Sequence, residues 1–432
     1  MVTRRQLNWS LLSSGSFLIT AESEFPPCFQ IGFLFPAGSA DEAVGLEGLS
    51  QIALPLLGRE TLRHSRTELQ RNLDRLGAIV DSDTMEETSI VTMVFMEDHV
   101  DECLSLLREI LTEPTVQKRD LAREKRKLRA NFQILDQDPD VVTEAHARTA
   151  YFGPGHPLSQ QARPKTVGRI KLQDCRQFWE MLMRRGPLAV FFSGPASHAR
   201  LRELYCRWFG TLHTSFGSAI LPAPRAEPTR RLLHRPSLQQ AALHAIIPTV
   251  PRTESLYLPL RIGLYAWLEG GFSSRLMTKL RVELGGTYGI HGAYHTLRDC
   301  GFFSLQTSVN TAMLESVLTI LSEEYTLLRT RGLSDAEFQE TVDSFIHAFP
   351  LLWDSTPELG SHLLRQYALG VPLETVLEFP DRVRALKLEE IQRALQALPS
   401  TLPIQVVAVP NESNLPSCLS HYRRHRWLEF AS

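Results

Sequence analysis

Two stretches of this chain follow one plan, and that repetition restricts the fold more than any other property of the sequence. Residues 73–80 (LDRLGAIV) are echoed at 281–288 (RVELGGTY), an offset of 208 positions. Residues 167–174 (VGRIKLQD) are echoed at 383–390 (VRALKLEE), an offset of 216. The apolar runs 188–192 (LAVFF) and 404–408 (IQVVA) keep that second offset. Three matches in the same order at nearly constant spacing indicate a duplicated domain.

Between the copies, residues 215–231 contain Ser215, Gly217, Ser218, Pro222, Pro224 and Pro228, the composition of a linker. The expected organisation is an N-terminal domain over 1–214 and a C-terminal domain over 232–432, each of ordinary single-domain size. Each copy opens with an apolar strand (residues 29–35 and 242–247). An apolar helical stretch follows, then a Leu-Gly step into further strands such as 89–95 and 302–307. Amphipathic helices come late, for example 101–111 and 312–328. Strands early and helices late predict an α+β class: two homologous α/β-sandwich domains, each a mostly antiparallel sheet with helices on one face.

Hydrophobic residues make up 43% and charged residues 22% of the 432, which is globular material. The formal net charge of −2 gives no general attraction to nucleic acid or anionic lipid, so neither is an expected partner. The exception is the basic segment His421 to Arg426, read here as a solvated tail. No apolar run reaches membrane-spanning length. Arg4 and Arg5 resemble a signal-peptide start, but the polar Gln6, Asn8 and Ser10 that follow form no apolar region. Six cysteines without a C-x-x-C pair predict reduced, mostly buried thiols and a cytoplasmic location.

The blocks GSADE (38–42) leading into Gly45-Leu46, YFGPGHP (151–157) and GGFSSRL (270–276) through RVELGGTY (281–288) resemble the pitrilysin/insulinase family of metallopeptidases. The resemblance covers nearly the whole chain. In active members the helix after that Gly-Leu carries H-x-x-E-H. Two histidines four apart on one helix face hold Zn²⁺, and the glutamate beside them takes a proton from the metal-bound water. Here the matching positions are Gly48, Gln51 and Ile52, and the later glutamate ligand matches Asn131. This chain is therefore expected to bind no metal. Leu46, Leu49, Ile52 and Leu56 read instead as one apolar helix face.

The second copy retains the family's Arg and Tyr, seven residues apart, at Arg281 and Tyr288. The resemblance implies that this pair reaches substrate in the zinc site of an opposing half. Chemically, Arg supplies a permanently charged fork of donors, and a Tyr hydroxyl can donate to a developing oxyanion. In the first copy the matching positions are Leu73 and Val80, so the pair is specific to one half. From residue types alone, a solvated Arg281 and a core Tyr288 stay open. His244 is read as an ordinary strand histidine. Arg275 is read as a helix anchor or chamber residue, and Trp267, Phe272 and Phe303 as core.

Together these readings imply a non-catalytic subunit of a heterodimeric zinc peptidase. The expected partner is a homologous subunit bearing H-x-x-E-H, which would supply the zinc. The expected substrate is an extended peptide, joined as a strand to a sheet edge on that partner. A zinc-free scaffold subunit is the alternative.

Overall fold

In the computed structural model, residues 7–23, 27–135, 137–215, 221–271, 274–283, 285, 287–353, 356–411 and 415–427 are described. The first half contains β1 (Leu7–Leu11), β2 (Phe17–Glu22), β3 (Cys28–Phe35), β4 (Glu60–Thr61), β5 (Ile79–Thr84), β6 (Ser89–Met96), β7 (Pro114–Thr115) and β8 (Ala189–Gly194). Six of these form one sheet in the order β1-β2-β8-β3-β6-β5, and β4 pairs with β7. The second half contains β9 (Thr229–His234), β10 (Ala241–Thr249), β11 (Thr287–Thr296), β12 (Gly301–Val309), β13 (Ile404–Val409) and β14 (Arg423–His425). Their order is β11-β12-β10-β13-β9-β14.

The two sheets have one topology: β5, β6, β3, β8 and β2 correspond in turn to β11, β12, β10, β13 and β9. Both are mostly antiparallel, with parallel pairing at β2–β8 and β13–β9. The duplication legible in the sequence is thus a duplication of fold. The sixth strand breaks the symmetry. β1 precedes β2 in the chain and runs antiparallel to it, whereas β14 comes from the C-terminal segment and runs parallel to β9.

This last strand corrects the expectation of a solvated basic tail. Arg423, Arg424 and His425 are exposed, yet their backbone is paired with Arg231, Leu232 and Leu233. Strand pairing uses main-chain groups, so arginines can occupy an edge with their side chains in water. Buried Tyr422, whose hydroxyl donates to Gln405, and Trp427, packed against the core, anchor either end. β9 likewise begins inside the segment read as a linker, at Thr229.

Central strands are buried along nearly their whole length rather than alternating. β8 and β13 are buried at every position, and β3 at all but its first. Such runs need both sheet faces covered. One face meets helices of its own half; the other meets a helix from the opposite half. Helix Pro139–Phe152 packs on β10 and β13, and helix Thr356–Ala368 packs on β3 and β8. Tyr151 Oη donates to the Gly301 carbonyl at 2.8 Å across this boundary. In return Leu359, Leu363 and Leu364 share a core cluster with Leu34 and Phe191. The approach is close: a Cβ on Gly360 would lie 2.4 Å from Phe191 Cδ1. The halves therefore exchange helices and share cores.

Of the six cysteines, all unpaired, only Cys103 and Cys175 are fully buried, fewer than expected, and Cys206 is exposed. Among the described residues, no helix is long and apolar enough to cross a membrane.

Candidate functional site

The first half's candidate site is built around the start of helix Leu49–Leu56. Its N-cap, Gly48, has φ of +97°, in the left-handed region. A Cβ there would also lie 2.9 Å from Ala162 Cβ. Gly48 is thus outside the helix, and the strain of a left-handed backbone favours glycine. Glu42 takes over the capping: its carboxylate accepts from Gly48 N at 2.7 Å, from Ser50 N at 2.7 Å and from Ser50 Oγ at 2.5 Å. Burial raises the Glu42 carboxyl above its ordinary range, against the opposing pull of those hydrogen bonds.

Gly48, Gln51 and Asn131, the last from helix Lys118–Leu135, line a single cavity of about 600 Å³. The structure brings these three together. Ile52 is elsewhere, 1% exposed and packed in the core with Leu49 and Leu56. Leu46 is half-buried beside them. The positions do not fit Zn²⁺: one is a capping glycine, one is core, and two are amides. Among the described residues no group of three or more His, Cys, Asp or Glu could hold a metal ion.

The cavity nevertheless has charged side chains on its wall, most of them without a signal in the sequence. Glu42, Glu86, Glu144 and Arg148 line it. Arg148 pairs with Glu86 at 3.2 Å and lies over the rings of Phe152 and Phe302. Burial raises the Glu144 carboxyl, offset in part by Arg148. Glu144 and Arg148 lie one turn apart on the helix that crosses between halves. No local pattern in the sequence distinguishes them.

In the second half Arg281 lies in a π-helical stretch, Thr278–Glu283, and is exposed. Such i→i+5 turns are rare and are frequent at functional sites. A second one, Tyr265–Glu269, precedes Gly270. Tyr288 falls on β11 where its register with β12 slips between Thr287 and Ile290. The Tyr288 side chain, and Phe272 as a whole, lie outside the described residues. β11 is fastened to the second π-turn, since Tyr294 N donates to Glu269 Oε1 at 2.5 Å and Glu269 pairs with Arg261.

Arg275 is an anchor. Its guanidinium grips Glu337 through two hydrogen bonds of 2.7 and 2.6 Å and donates to the Gly332 carbonyl at 3.0 Å. His244 is fully buried in β10 under helix Pro139–Phe152, and neither ring nitrogen finds a partner. Burial, then the nearby His295 and Arg148, lower its pKa to about 3. Trp267 and Phe303 are fully buried.

Known families resolve what this arrangement belongs to. The family model described as Insulinase (Peptidase family M16) matches residues 18–160, and the one described as Peptidase M16 inactive domain matches residues 169–345. The chain belongs to the M16 peptidase family. An M16 relative from Bacillus subtilis, named as the uncharacterized zinc protease YmxG, is 20% identical over 90% of this chain and 94% of its own length. A Helicobacter pylori relative named as the non-peptidase homolog YmxG is 21% identical over 88% of each chain. The alpha subunit of the rat mitochondrial-processing peptidase is 19% identical over 92% of this chain and 81% of its own. Among solved structures, a peptidase M16 inactive domain from Pseudomonas fluorescens superposes with a TM-score of 0.84 at 19% identity. It covers 93% of this chain and 97% of that one. This M16 chain is of the inactive kind.

Proposed function

We propose that this chain is the non-catalytic subunit of a heterodimeric zinc peptidase. In this reading a homologous subunit bearing H-x-x-E-H supplies the metal, the attacking water and the general base. This chain supplies Arg281 and Tyr288 and closes the chamber around an extended peptide. A chamber closed by two such shells admits unfolded or small peptides, and the permanent interface buries more than roughly 2,000 Å².

The observation that carries the reading is an asymmetry. The metal-binding positions are gone, down to the backbone at Gly48, while the Arg281 and Tyr288 signature is kept in full. Loss of the whole function would leave no reason to keep one set and not the other. The similarity to a mitochondrial-processing peptidase subunit supports pairing, and the six unpaired cysteines support a cytoplasmic setting. A zinc-free scaffold subunit is the second reading. It draws on the similarity of part of this chain to the ubiquinol-cytochrome-c reductase core protein I of Euglena gracilis.

The test is purification of this chain alone and with its co-expressed partner, measuring zinc content and cleavage of unstructured peptides. Activity confined to the pair supports the peptidase reading. A Tyr288→Phe change that lowers the rate on the order of a hundredfold, without dissociating the pair, supports the assigned site. Full activity in both Arg281→Ala and Tyr288→Phe pairs would falsify it. Zinc and hydrolysis in the lone chain would remove the reading altogether.

A further inference from the structure

At the far edge of the second sheet lies a surface that the proposed peptidase role does not use. β14 ends the strand order, and among the described residues no strand pairs with its outer side. It therefore presents a sheet edge, the template on which an extended segment adds. β11, with Tyr288, ends the same sheet on the opposite side. At about 4.8 Å per strand spacing the two edges lie roughly 24 Å apart.

The charge at this edge has one sign. Pairing of β14 with β9 sets Arg423 beside Arg231 and Arg424 beside Leu232, with Arg230 one residue earlier on β9. Arg426 follows directly. Arg230, Arg423, Arg424 and Arg426 are exposed. Arg230 stacks over the Tyr422 ring, and Arg231 donates to the His146 carbonyl at 2.9 Å. Among the described residues, Arg230, Arg231, Arg423 and Arg426 have no carboxylate within ion-pair distance. A shallow cavity of about 420 Å³ opens between Arg230, Arg423, His421, Thr229 and Thr401, with Glu227 the one acidic side chain on its wall. Burial first, then the neighbouring Arg231 and Arg423, disfavour protonation of His425, as expected in a local positive field.

We propose that β14 is a docking edge for an extended acidic peptide segment of a partner protein, added as a seventh strand with its carboxylates against Arg230 and Arg423. A sheet edge coincides here with Arg230, Arg231, Arg423 and Arg426, for which no described carboxylate lies within ion-pair distance, and an acidic strand satisfies both. A nucleic acid would use the charge and leave the strand edge unmet, and the chain's net charge of −2 gives it no wider attraction. The surface stands independently of the peptidase reading, because it involves neither the cavity at Gly48 nor Arg281 and Tyr288.

The test uses the full chain and a fluorescein-labelled oligoglutamate peptide, whose side chains reach both faces of the sheet, followed by anisotropy at low ionic strength. Saturable binding is expected, together with slowed amide hydrogen exchange at residues 423–425. Replacing each glutamate of the peptide by lysine should abolish binding. N-methylation of alternate peptide bonds, which removes strand donors and keeps every charge, should weaken it roughly tenfold or more, about 1.4 kcal/mol or more. The double change Arg230→Glu with Arg423→Glu, on exposed positions, should do the same. Equal binding of the N-methylated peptide, undiminished binding to the double variant, or tighter binding of a single-stranded oligonucleotide of equal charge would each overturn the assignment.

Discussion

The Glu42 carboxylate accepts a 2.7 Å hydrogen bond from the backbone N–H of Gly48, and this contact sets where helix Leu49–Leu56 begins. A zinc ligand at position 48 would have to sit inside the helix so that its side chain stacks on the one four residues later. Here position 48 is a left-handed cap.

Restoring the motif letters should consequently fail to restore the site. The quadruple change Gly48→His, Gln51→Glu, Ile52→His and Asn131→Glu is expected to bind no stoichiometric zinc by elemental analysis. It should also unfold more easily. A left-handed non-glycine residue costs about 1–2 kcal/mol. Burying an imidazole in place of Ile52 costs roughly 2–5 kcal/mol more through lost packing and an unsatisfied polar group. One zinc per chain in the quadruple variant would show that the backbone at Gly48 adapts.

The helix exchange between halves has a thermodynamic signature. Each sheet depends on the other half for one of its two covered faces, so the full chain should unfold in a single calorimetric transition. Residues 1–214 expressed alone would expose the surface that Leu359, Leu363 and Leu364 cover. That fragment should bind a hydrophobic dye or aggregate. Leu363→Ala in the full chain should cost about 2–5 kcal/mol. Two separate transitions, one of them unmoved by Leu363→Ala, would contradict this coupling.

Arg275 and Arg281 are six residues apart and should respond to mutation in opposite ways. Arg275→Ala breaks a bidentate pair with half-buried Glu337 and leaves the Gly332 carbonyl without that donor. A loss of about 1–3 kcal/mol in denaturant unfolding follows. Exposed Arg281, replaced by Ala, should disturb folding less than Arg275→Ala and reduce peptide cleavage by the assembled pair more. The reverse ranking in either assay would exchange their roles.

His244 should make stability fall on acidification. Its folded pKa of about 3 lies below the ordinary 6.5, so the unfolded chain takes up the proton first as pH drops. Stability from this group is complete above about pH 6.5 and declines below it, by about 1.4 kcal/mol per pH unit until the folded pKa is approached. His244→Leu removes two unpartnered buried nitrogens and that titration together. The variant's stability relative to the parent should therefore rise as pH falls from 7 to 5. A pH-independent difference would show that the histidine takes up its proton as readily in the folded chain as in the unfolded one. Carboxyls raised by burial, such as Glu42 and Glu144, oppose the trend in the parent, and the difference between variant and parent cancels them.

Much of this protein was settled by the order of its residues alone. Three repeats in the same order, 73–80 with 281–288, 167–174 with 383–390 and 188–192 with 404–408, pointed to two copies of one fold, because a matched sequence of apolar and turn positions selects the same elements twice. Gly48, Gln51, Ile52 and Asn131 argue against a zinc site from their chemistry alone, because they offer neither imidazole nor carboxylate. Other features were out of reach. Nothing in residues 139–152 or 356–368 announces that each helix crosses to the opposite sheet, since an apolar helix face does not name the surface it covers. Glu144 and Arg148 come together with Glu42 and Glu86 at the cavity only in the folded chain. The basic run 421–426 reads as solvated because strand pairing is made by main-chain groups common to every residue. Whether such a run lies free or completes a sheet is decided by the open edge of β9, and only the tertiary structure shows it.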